Sequence, residues 1–577
     1  MVTPEIEKYG QRCGMKILWL PVFICLLFNG PCFPEGKIYP YRWVYISADL
    51  SENYQVNEVE KKLKTAAAHG LNGVVFASGL DRLSGKNADY FDRLRKVKST
   101  CDSLNMEIIP VIFSAGHGSA LFRNKNLAEG FPVKDALFTV KDNIAVLTPE
   151  FPVKIENGGF EEYKENKLSG YNFYDQPGEV SLVDTKEFFE GRASLRFQMF
   201  RTNPYGHGRI MQEVKVKPNR LYRVSLMLKT DKLEPADSFK IQVLNLKGKA
   251  LAPVEFNIKP TRDWRKVTLG FNSGENEVVR VYAGVWGGRF GRFWLDDWQI
   301  EELGPVNILR RPGTPLTVKG EVTGLAYEEG KDFEPVIDPE LNFRFDHEAP
   351  LLKIPQGSRI KNGEKLRVSY YHGMAILNGQ VAACLSEPEL YEIWKQEMGL
   401  LYKTLRAKKY VLSMDEIRMG GTCRLCKDRK MPMAEILGDA ITNEYNIVKA
   451  ADPQAEIFIW SDMLDPEHNA HDNYYLVDGD FSGSWNYIPK DLGIICWNYK
   501  TRETSLKHFD NLGFKTMAGA YYDSKDLENP KAWLGSLDRT KNAAGICTRP
   551  GKTGMNCFPL SGSWFQKEKT KSKKYMN

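Results

Sequence analysis

Glu107-Ile-Ile-Pro-Val-Ile-Phe113 is one of several short apolar runs that alternate with amphipathic segments along this chain. Two similar runs, Arg42-Trp-Val-Tyr-Ile-Ser47 and Gly73-Val-Val-Phe-Ala77, precede it. The segments between the runs, residues 57–69 and 88–104, have the apolar period of helices. Apolar strands that alternate with amphipathic helices are typical of a parallel sheet built from βα units. The start of the chain therefore predicts an α/β fold.

Helical periodicity almost disappears between residues 156 and 302. Short β-type runs separated by turn residues take its place, as in Tyr222-Arg-Val-Ser-Leu-Met-Leu228 and Arg280-Val-Tyr-Ala-Gly-Val-Trp286. Regular short strands of this kind predict an all-β sandwich. The βα alternation then resumes at Leu366–Tyr371, which we interpret as a further barrel strand.

Interrupted alternation favours one barrel with an insertion over two separate barrels. We predict a (β/α)8 TIM-type barrel, its closure inferred from the number of strand candidates, with the β-sandwich inserted in it. The predicted domains are a leader at 1–36, the first part of the barrel at 37–150, the sandwich at 151–303, a connector at 304–365, the second part of the barrel at 366–547, and an atypical tail at 548–577.

The N-terminus carries a targeting signal. Lys16 is followed by an apolar run at residues 17–28, which is shorter than the roughly 20 apolar residues of a membrane span. This pattern is typical of a secretory signal peptide, and an uncleaved anchor is the alternative. We predict a secreted or periplasmic protein without stable membrane insertion after cleavage. The net charge of +6 lies largely in the last dozen residues, so no nucleic-acid partner is expected.

The tail from Thr548 has no helical period and ends in a Lys-rich segment. With suitable codons, a one-base shift would instead encode a strand end bearing a Trp, followed by an amphipathic helix. A barrel needs such a βα unit to close, so we hypothesise a frameshift near Cys547 in the gene or in its sequencing. A shift present in the organism would damage the last wall of the barrel and any activity.

An acidic doublet marks the expected site. The apolar run Tyr410–Met414 ends directly in Asp415 and Glu416, and barrel active sites lie at the carboxyl ends of the strands. Like charges held close raise the pKa of one carboxyl, as general-acid catalysis at neutral pH requires. A helix N-terminus or a surface turn would more often explain an isolated doublet.

Other predicted strands also end in groups suited to a binding pocket. These strand-end residues are His117, Trp460, Asp462, Trp497, Tyr521, Tyr522 and Asp523. Any one of them could be a core aromatic or a capping carboxylate. Together they indicate an aromatic-walled, carboxylate-bearing pocket.

The order of these strand ends resembles glycoside hydrolase family 20, the β-N-acetylhexosaminidases, over residues 41–125 and 366–547. Arg42 on the first strand, the turn ending in Gly116-His117 and the stretch Ser413-Met-Asp-Glu416 carry the resemblance. It implies that Glu416 is the general acid/base, while Asp415 orients the substrate's 2-acetamido group, which acts as the nucleophile. It also implies three sets of sugar contacts, from Arg42 to hydroxyl groups, from Tyr521 or Tyr522 to the acetamide, and from the walls Trp460 and Trp497.

Three departures weaken the N-acetylhexosamine specificity more than the glycosidase activity. Ser413-Met414 replaces a Gly-Gly pair, Ala115 replaces a Pro, and a large insertion follows the third strand. A glycosidase of other specificity would use Asp462 or Asp523 as its nucleophile. A non-catalytic carbohydrate-binding protein is the third alternative. In each case the partner is a glycan or oligosaccharide, and no cofactor is expected for catalysis.

Both ends of the sandwich resemble jelly-roll carbohydrate-binding modules. The stretches Asn157-Gly-Gly-Phe-Glu-Glu162 and Trp294-Leu-Asp-Asp-Trp-Gln-Ile300 carry this resemblance. It implies a structural Ca²⁺ held by the hard oxygen ligands of Glu161 and of Asp296 or Asp297. Three aromatic residues could stack on sugar or belong to the core, and these are Tyr205, Trp264 and Trp286.

The cysteines outside the leader are scattered and form no disulfide framework. Cys423-Arg-Leu-Cys426 could be half of a zinc site, a tight disulfide or two free thiols. The loop Asp465-Pro-Glu-His-Asn-Ala-His-Asp472 could also bind a metal ion, but a polar rim of the pocket is the simpler interpretation.

Overall fold

The computed structural model describes residues 39–522 and 527–550, and eight parallel strands in these ranges close into a barrel. The mixed α/β class and the parallel barrel are therefore confirmed. The strands are β1 (Tyr41–Ser47), β2 (Gly73–Ala77), β3 (Glu107–Ile112), β4 (Lys409–Leu412), β5 (Glu456–Trp460), β6 (Gly493–Cys496), β7 (Lys515–Tyr522) and β8 (Ala543–Pro550).

Strands β1 and β8 pair in parallel and close the ring, with Tyr41 opposite Gly545 and Val44 opposite Thr548. Strand β8 thus continues to Pro550, three residues into the segment that the sequence analysis treated as an atypical tail. The predicted leader at 1–36, Asp523 and residues 551–577 lie outside the described residues.

The helices pack around the barrel through apolar stripes. On the first helix Val56, Val59, Leu63 and Ala66 are buried, which is the spacing of one helix face. The helices are α1 (Asn53–Ala68), α2 (Ala88–Ser103), α3 (Pro388–Leu405), α4 (Arg424–Asp428), α5 (Met433–Ala451), α6 (Arg502–Asn511) and α7 (Glu528–Asp538). Residues 461–492, which join β5 to β6 and are all described, contain 3₁₀ turns and the short strand Leu476–Val477 but no α-helix, so strict βα alternation is not observed there. In the described ranges no helix combines the length and apolar character of a membrane span.

Alternate residues of the strands fill the barrel lumen. At the amino end Glu456 accepts a hydrogen bond from the Tyr41 hydroxyl (2.6 Å) and pairs with Lys515 (2.7 Å), while Lys409 pairs with Glu107 (2.7 Å). Above this charged network lies an apolar layer formed by Trp43, Val75, Ile109, Val411, Phe458, Ile495, Met517 and Cys547. The lumen is packed like other barrels of this type, which leaves the carboxyl ends of the strands as the place for a ligand.

The insertion between β3 and β4 begins with a sheet that the sequence analysis divided among the barrel and the connector. Lys365–His372, predicted as a barrel strand, pairs antiparallel with Phe131–Lys141. Its buried and exposed residues alternate, whereas all four residues of β4 are buried, and alternation is the pattern of an antiparallel strand with one exposed face. The six strands in spatial order are Ala326–Tyr327, Thr317–Gly320, Lys365–His372, Phe131–Lys141, Ile144–Leu147 and Leu352–Lys353.

The region expected to be all-β consists of two antiparallel sheets. The five-stranded sheet has the order Arg262–Asn272, Leu221–Glu234, Phe290–Glu302, Ser194–Phe197 and Ser181–Asp184. The four-stranded sheet has the order Phe239–Leu244, Val278–Val285, Gly208–Lys215 and Phe173–Tyr174. Two short strand pairs lie outside these sheets. One, Tyr163–Lys164 with Lys167–Leu168, belongs to the sandwich region, and the other, Met419–Gly420 with Leu476–Val477, joins the loops that follow β4 and β5.

The six-stranded sheet and the sandwich share one apolar core. Phe345 packs so closely on Gly270 that an added methyl group at this glycine would collide with the phenyl ring. Arg220 of the sandwich is buried, donates to the Asp135 carbonyl (2.9 Å) and pairs with Glu150 (3.1 Å). The insertion is therefore larger than the sandwich predicted at 151–303.

The chain leaves and re-enters the barrel at one narrow neck. Ala128 and Ala383 form an antiparallel bridge, and the Glu129 amide donates to the Ala382 carbonyl (2.9 Å). Both ends of the insertion thus lie side by side next to the barrel.

Candidate active site

The acidic doublet lies where the chain leaves β4. Asp415 continues the inward alternation of Val411 and Ser413, and the Ser413 hydroxyl donates to its carboxylate (2.9 Å). At Glu416 the backbone turns into the left-handed region (φ 53°), so its side chain returns to the side that Asp415 occupies. His117 Nε2 lies 3.9 Å from Asp415 Oδ2 and 3.8 Å from Glu416 Oε2. The side chains of Asp415 and Glu416 are 24% and 29% exposed, so both are accessible.

Close backbone contact brings His117 to the doublet. Gly116 lies against the carbonyl oxygens of Asp415 and Glu416, and any side chain at this position would collide with them. Gln380 then joins the two loops, because its Nε2 donates to the carbonyls of Gly116 (2.9 Å) and Glu416 (2.8 Å). Steric exclusion of any side chain therefore requires a glycine at position 116.

Arg418 is a site residue that the sequence analysis missed. Its guanidinium pairs with Glu416 Oε1 (2.7 Å), donates to Gln380 Oε1 (2.5 Å) and lies over the Tyr475 ring, 5.1 Å from its centroid. The signal was available in principle, because Arg418 follows Glu416 by two residues in the same strand-end loop.

Asp462 is a buried carboxylate that holds the backbone of the acidic doublet in place. Its side chain is fully buried, and its carboxylate accepts from the Glu416 amide (2.8 Å), Asn469 (2.9 Å) and the Trp497 indole (3.3 Å). Burial, followed by the charge of Asp415, raises the pKa of Asp462 to about 7. A carboxylate enclosed in this way is unsuited to attack a sugar, so the predicted substrate contact and the nucleophile role are corrected to a positioning role.

Aromatic rings surround the mouth of the barrel. Trp460 packs against Tyr45, with ring centroids 6.1 Å apart, and Trp497 packs against His468 at 4.5 Å. Tyr521 is half-buried on β7, and its amide donates to Asn529 Oδ1 (3.1 Å). Tyr522 ends the same strand, and Asp523 lies outside the described residues.

The prediction for Arg42 is wrong. Its guanidinium donates to the carbonyls of Tyr39 (2.6 Å) and Gly70 (2.9 Å) at the amino end of β1. Because all barrel strands run in the same direction, this end is opposite to the acidic doublet. On the site side β1 presents Tyr45, and Arg549 of β8 lies 5.3 Å above its ring. Alternation from Trp43 would have identified Tyr45 as a residue that faces the mouth.

The loop Asp465–Asp472 forms part of the rim. Asp465 is buried, and burial lowers the pKa of His468, whose ring contacts Trp497. Among the described residues, two groups offer three or more ligand atoms within 4.8 Å of one another, and neither lies in this loop. One group is His117, Asp415 and Glu416; the other is a buried set of three cysteines and a glutamate.

The sandwich carboxylates bind one loop. Glu161 accepts from the amides of Arg192 (2.6 Å) and Ala193 (3.1 Å), and Asp296 accepts from those of Phe189 (2.7 Å) and Glu190 (3.2 Å). Burial raises the pKa of Asp296 to about 6. Asp297 points elsewhere and accepts from Gln299. The calcium site stays a prediction.

The sandwich aromatics differ in accessibility. Tyr205 is 76% exposed and stacks on His207, while Trp286 is half-buried in the adjoining loop beside Arg209. Trp264 is half-buried against Phe189. Tyr205 is therefore the best placed of the three to meet a ligand.

A groove of about 590 Å³ lies where the sandwich meets the barrel. Its lining includes Lys247 and Lys249 from the sandwich and Tyr475 from the barrel. The guanidinium of Arg418, which pairs with Glu416, lies over the Tyr475 ring. The sandwich thus extends the rim of the site.

Comparisons with known proteins give no family for this chain. No protein-family model and no curated protein matches it. Among solved structures, a CBM4 module is 16% identical and covers 26% of this chain and 99% of its own (TM-score 0.18). TmCBM61 in complex with β-1,4-galactotriose is 17% identical, with 26% and 99% covered (TM-score 0.20). The enzymatically active domain of bacteriophage CBA120 tailspike protein 4 is 14% identical, with 28% and 23% covered (TM-score 0.21). At TM-scores this low the likeness establishes no function for this chain.

Proposed function

We propose that this chain is an exported glycoside hydrolase whose reaction takes place at the mouth of the barrel. The observation that supports the proposal is the accessible pair Asp415 and Glu416, which share His117 at the open end of an otherwise packed lumen. Trp460 and Trp497 are half-buried at the same mouth, and indole rings suit the apolar faces of sugar rings.

The arrangement of the carboxylates favours assistance by the substrate. Asp415 and Glu416 are consecutive and reach the site from one side, with ligand atoms within 4.8 Å of each other. Two separate enzyme carboxylates would have to flank a glycosidic bond at about 5–5.5 Å for retention. In our proposal Glu416 protonates the leaving oxygen, and Asp415 orients a 2-acetamido group that attacks the anomeric carbon. The substrate class is a β-linked N-acetylhexosamine.

The sandwich would add contacts to a longer glycan. Tyr205 is exposed, and the groove between sandwich and barrel is lined by lysines close to Tyr475. In the same proposal Glu161 and Asp296 hold a structural Ca²⁺ that fixes the loop at residues 189–193.

One contact favours a second candidate, a carbohydrate-binding protein without turnover. Arg418 pairs with Glu416 Oε1 at 2.7 Å, so the carboxyl proposed to protonate the leaving oxygen is already engaged by another side chain of the protein.

A panel of chromogenic β-glycosides tests both candidates. We expect turnover of the N-acetylglucosaminide with inhibition by a thiazoline analogue, and a loss of kcat by a factor of about 10²–10⁴ in Glu416→Gln. Glu392→Gln, the same change at an exposed position on α3, is the matched control and retains activity. Glycan binding without turnover of any glycoside would refute the hydrolase proposal and favour the binding protein.

A further inference from the structure

The structure completes the Cys423-x-x-Cys426 pair with two distant residues. Cys384 lies just before α3, and Glu129 lies at the neck of the insertion. All four side chains are buried, with exposures of 0% for Cys384 and Cys423, 3% for Cys426 and 1% for Glu129. Each therefore places a potential metal ligand in the interior.

The three sulfur atoms form a nearly regular triangle. The Sγ separations are 3.4 Å for Cys384–Cys423, 3.6 Å for Cys384–Cys426 and 3.6 Å for Cys423–Cys426. Tetrahedral Zn²⁺ with Zn–S bonds of about 2.3 Å requires sulfur–sulfur separations of about 3.8 Å. A disulfide would bring one pair to about 2.05 Å and leave a third thiol over. The regular triangle fits a shared cation better than a disulfide.

Glu129 is oriented as the fourth ligand. Its Oε1 accepts from the Thr422 amide (2.8 Å), the Thr422 hydroxyl (2.7 Å) and the Cys423 amide (2.9 Å). Its Oε2 faces Cys426 Sγ at 4.0 Å, and all four ligand atoms lie within 4.8 Å of one another. Hydrogen bonds that fix one carboxylate oxygen and leave the other free are the usual support of a metal ligand.

The surroundings suit a site of net negative charge. Arg311 is buried beside the cluster, where it donates to the Ala128 carbonyl (3.1 Å) and pairs with Glu387 (3.0 Å). Thiolates and a carboxylate buried together are costly unless cations compensate them. Arg311 supplies one positive charge and already pairs with Glu387, so it would offset only a small part of the negative charge of three thiolates and one carboxylate.

We propose that Cys384, Cys423, Cys426 and Glu129 bind a structural zinc ion in a closed tetrahedral site. Four protein ligands leave no open position for substrate, which is typical of structural zinc. The ion joins the neck, through Glu129 and Cys384, to the loop after β4, through Cys423 and Cys426. That loop also carries Asp415, Glu416 and Arg418, but the inference does not depend on the proposed hydrolase activity.

Metal analysis of the full chain tests the proposal. We expect one zinc ion per chain after purification without added metal. Co²⁺ exchanged into the site gives the visible absorption of tetrahedral cobalt and a sulfur-to-cobalt charge-transfer band. Cys423→Ser loses the bound zinc, whereas Cys101→Ser, a buried cysteine of α2 outside the cluster, retains it.

Two results would overturn the proposal. One is a wild-type chain without zinc, whether peptide mapping without reductant finds a disulfide between two of the three cysteines or three free thiols. The other is full zinc content in Cys423→Ser. If that variant does not fold, the zinc content and the cobalt spectrum of the wild type decide the question alone, because an octahedral cobalt spectrum would also contradict the cysteine ligands.

Discussion

At the residue scale, Asp462 has a stability cost that depends on pH. Its pKa of about 7 in the folded chain compares with about 3.9 in an unfolded chain. Between these values the folded state holds a proton that the unfolded state releases, so the free energy of unfolding falls as pH rises. The share of the free energy of unfolding that depends on protonated Asp462 is fully present below about pH 4. It is lost by about pH 7 and amounts to at most about 4 kcal/mol.

We expect urea unfolding to report this dependence. The wild-type free energy of unfolding should fall between about pH 4 and about pH 7, and in Asp462→Asn the fall should be smaller by about 2–4 kcal/mol. Asp472→Asn, an exposed change near the same rim, should keep the wild-type slope. The same pH slope in Asp462→Asn and in the wild type would show that Asp462 is not the titrating group.

Sequence alone placed several single residues near the site. Asp415, Glu416, His117 and Trp497 were expected at strand ends, and the structure brings His117 to both carboxylates. The prediction that Arg42 binds sugar is wrong because it ignores that Arg42 lies at the start of its strand. The chain direction puts the first residue of a strand at the closed end, whatever its chemistry.

At the element scale, the contact of the β3 and β4 loops depends on Gly116. We expect Gly116→Ala to separate these loops, because its methyl group would meet two carbonyl oxygens that the backbone holds in place. Overpacking of this kind costs about 1–3 kcal/mol, and the displaced His117 would lower kcat more than KM rises. Unfolding curves and steady-state kinetics measure the two effects.

Gly399→Ala is the matched control for that prediction. Gly399 lies within α3, and an added methyl group there meets no atom within 4 Å. Alanine in a helix interior is favoured over glycine by about 1 kcal/mol, so this variant should be equally or more stable and fully active. Equal behaviour of the two alanine variants would refute the close contact at Gly116.

Elements were predictable where local pattern decides them. The apolar runs of β1, β2 and β3 were recognised directly, and they pair as parallel neighbours. The strand Lys365–His372 was assigned to the wrong sheet, because strand pattern does not name the pairing partner. Cys384 was missed as a partner of Cys423 because 39 residues separate them, and only the fold brings them together.

At the scale of the whole molecule, the sandwich and the six-stranded sheet of the insertion are joined by shared packing. The apolar core continues from the sandwich into the six-stranded sheet, and Arg220 binds main chain and carboxylates across the boundary. A fragment of residues 151–303 would expose that shared face, including the surface that Phe345 covers on Gly270.

We therefore expect different behaviour from two fragments. Residues 130–382 should unfold in a single cooperative transition, whereas residues 151–303 should bind hydrophobic dyes and lack such a transition. Circular dichroism during urea titration measures both. A shorter fragment that unfolds as cooperatively as the longer one would show that the sandwich is independent.

The neck between Ala128 and Ala383 bears on the order in which the chain folds. Pairing β3 with β4 across an unfolded insertion would require closing the loop of residues 113–408, about 300 residues long, with a corresponding loss of chain entropy. Once the insertion has folded, its ends are neighbours, and the effective loop shortens to residues 113–128 and 383–408, about 40 residues in all. We therefore expect the first three barrel strands, although synthesised first, to gain their β4 partner after the insertion has collapsed.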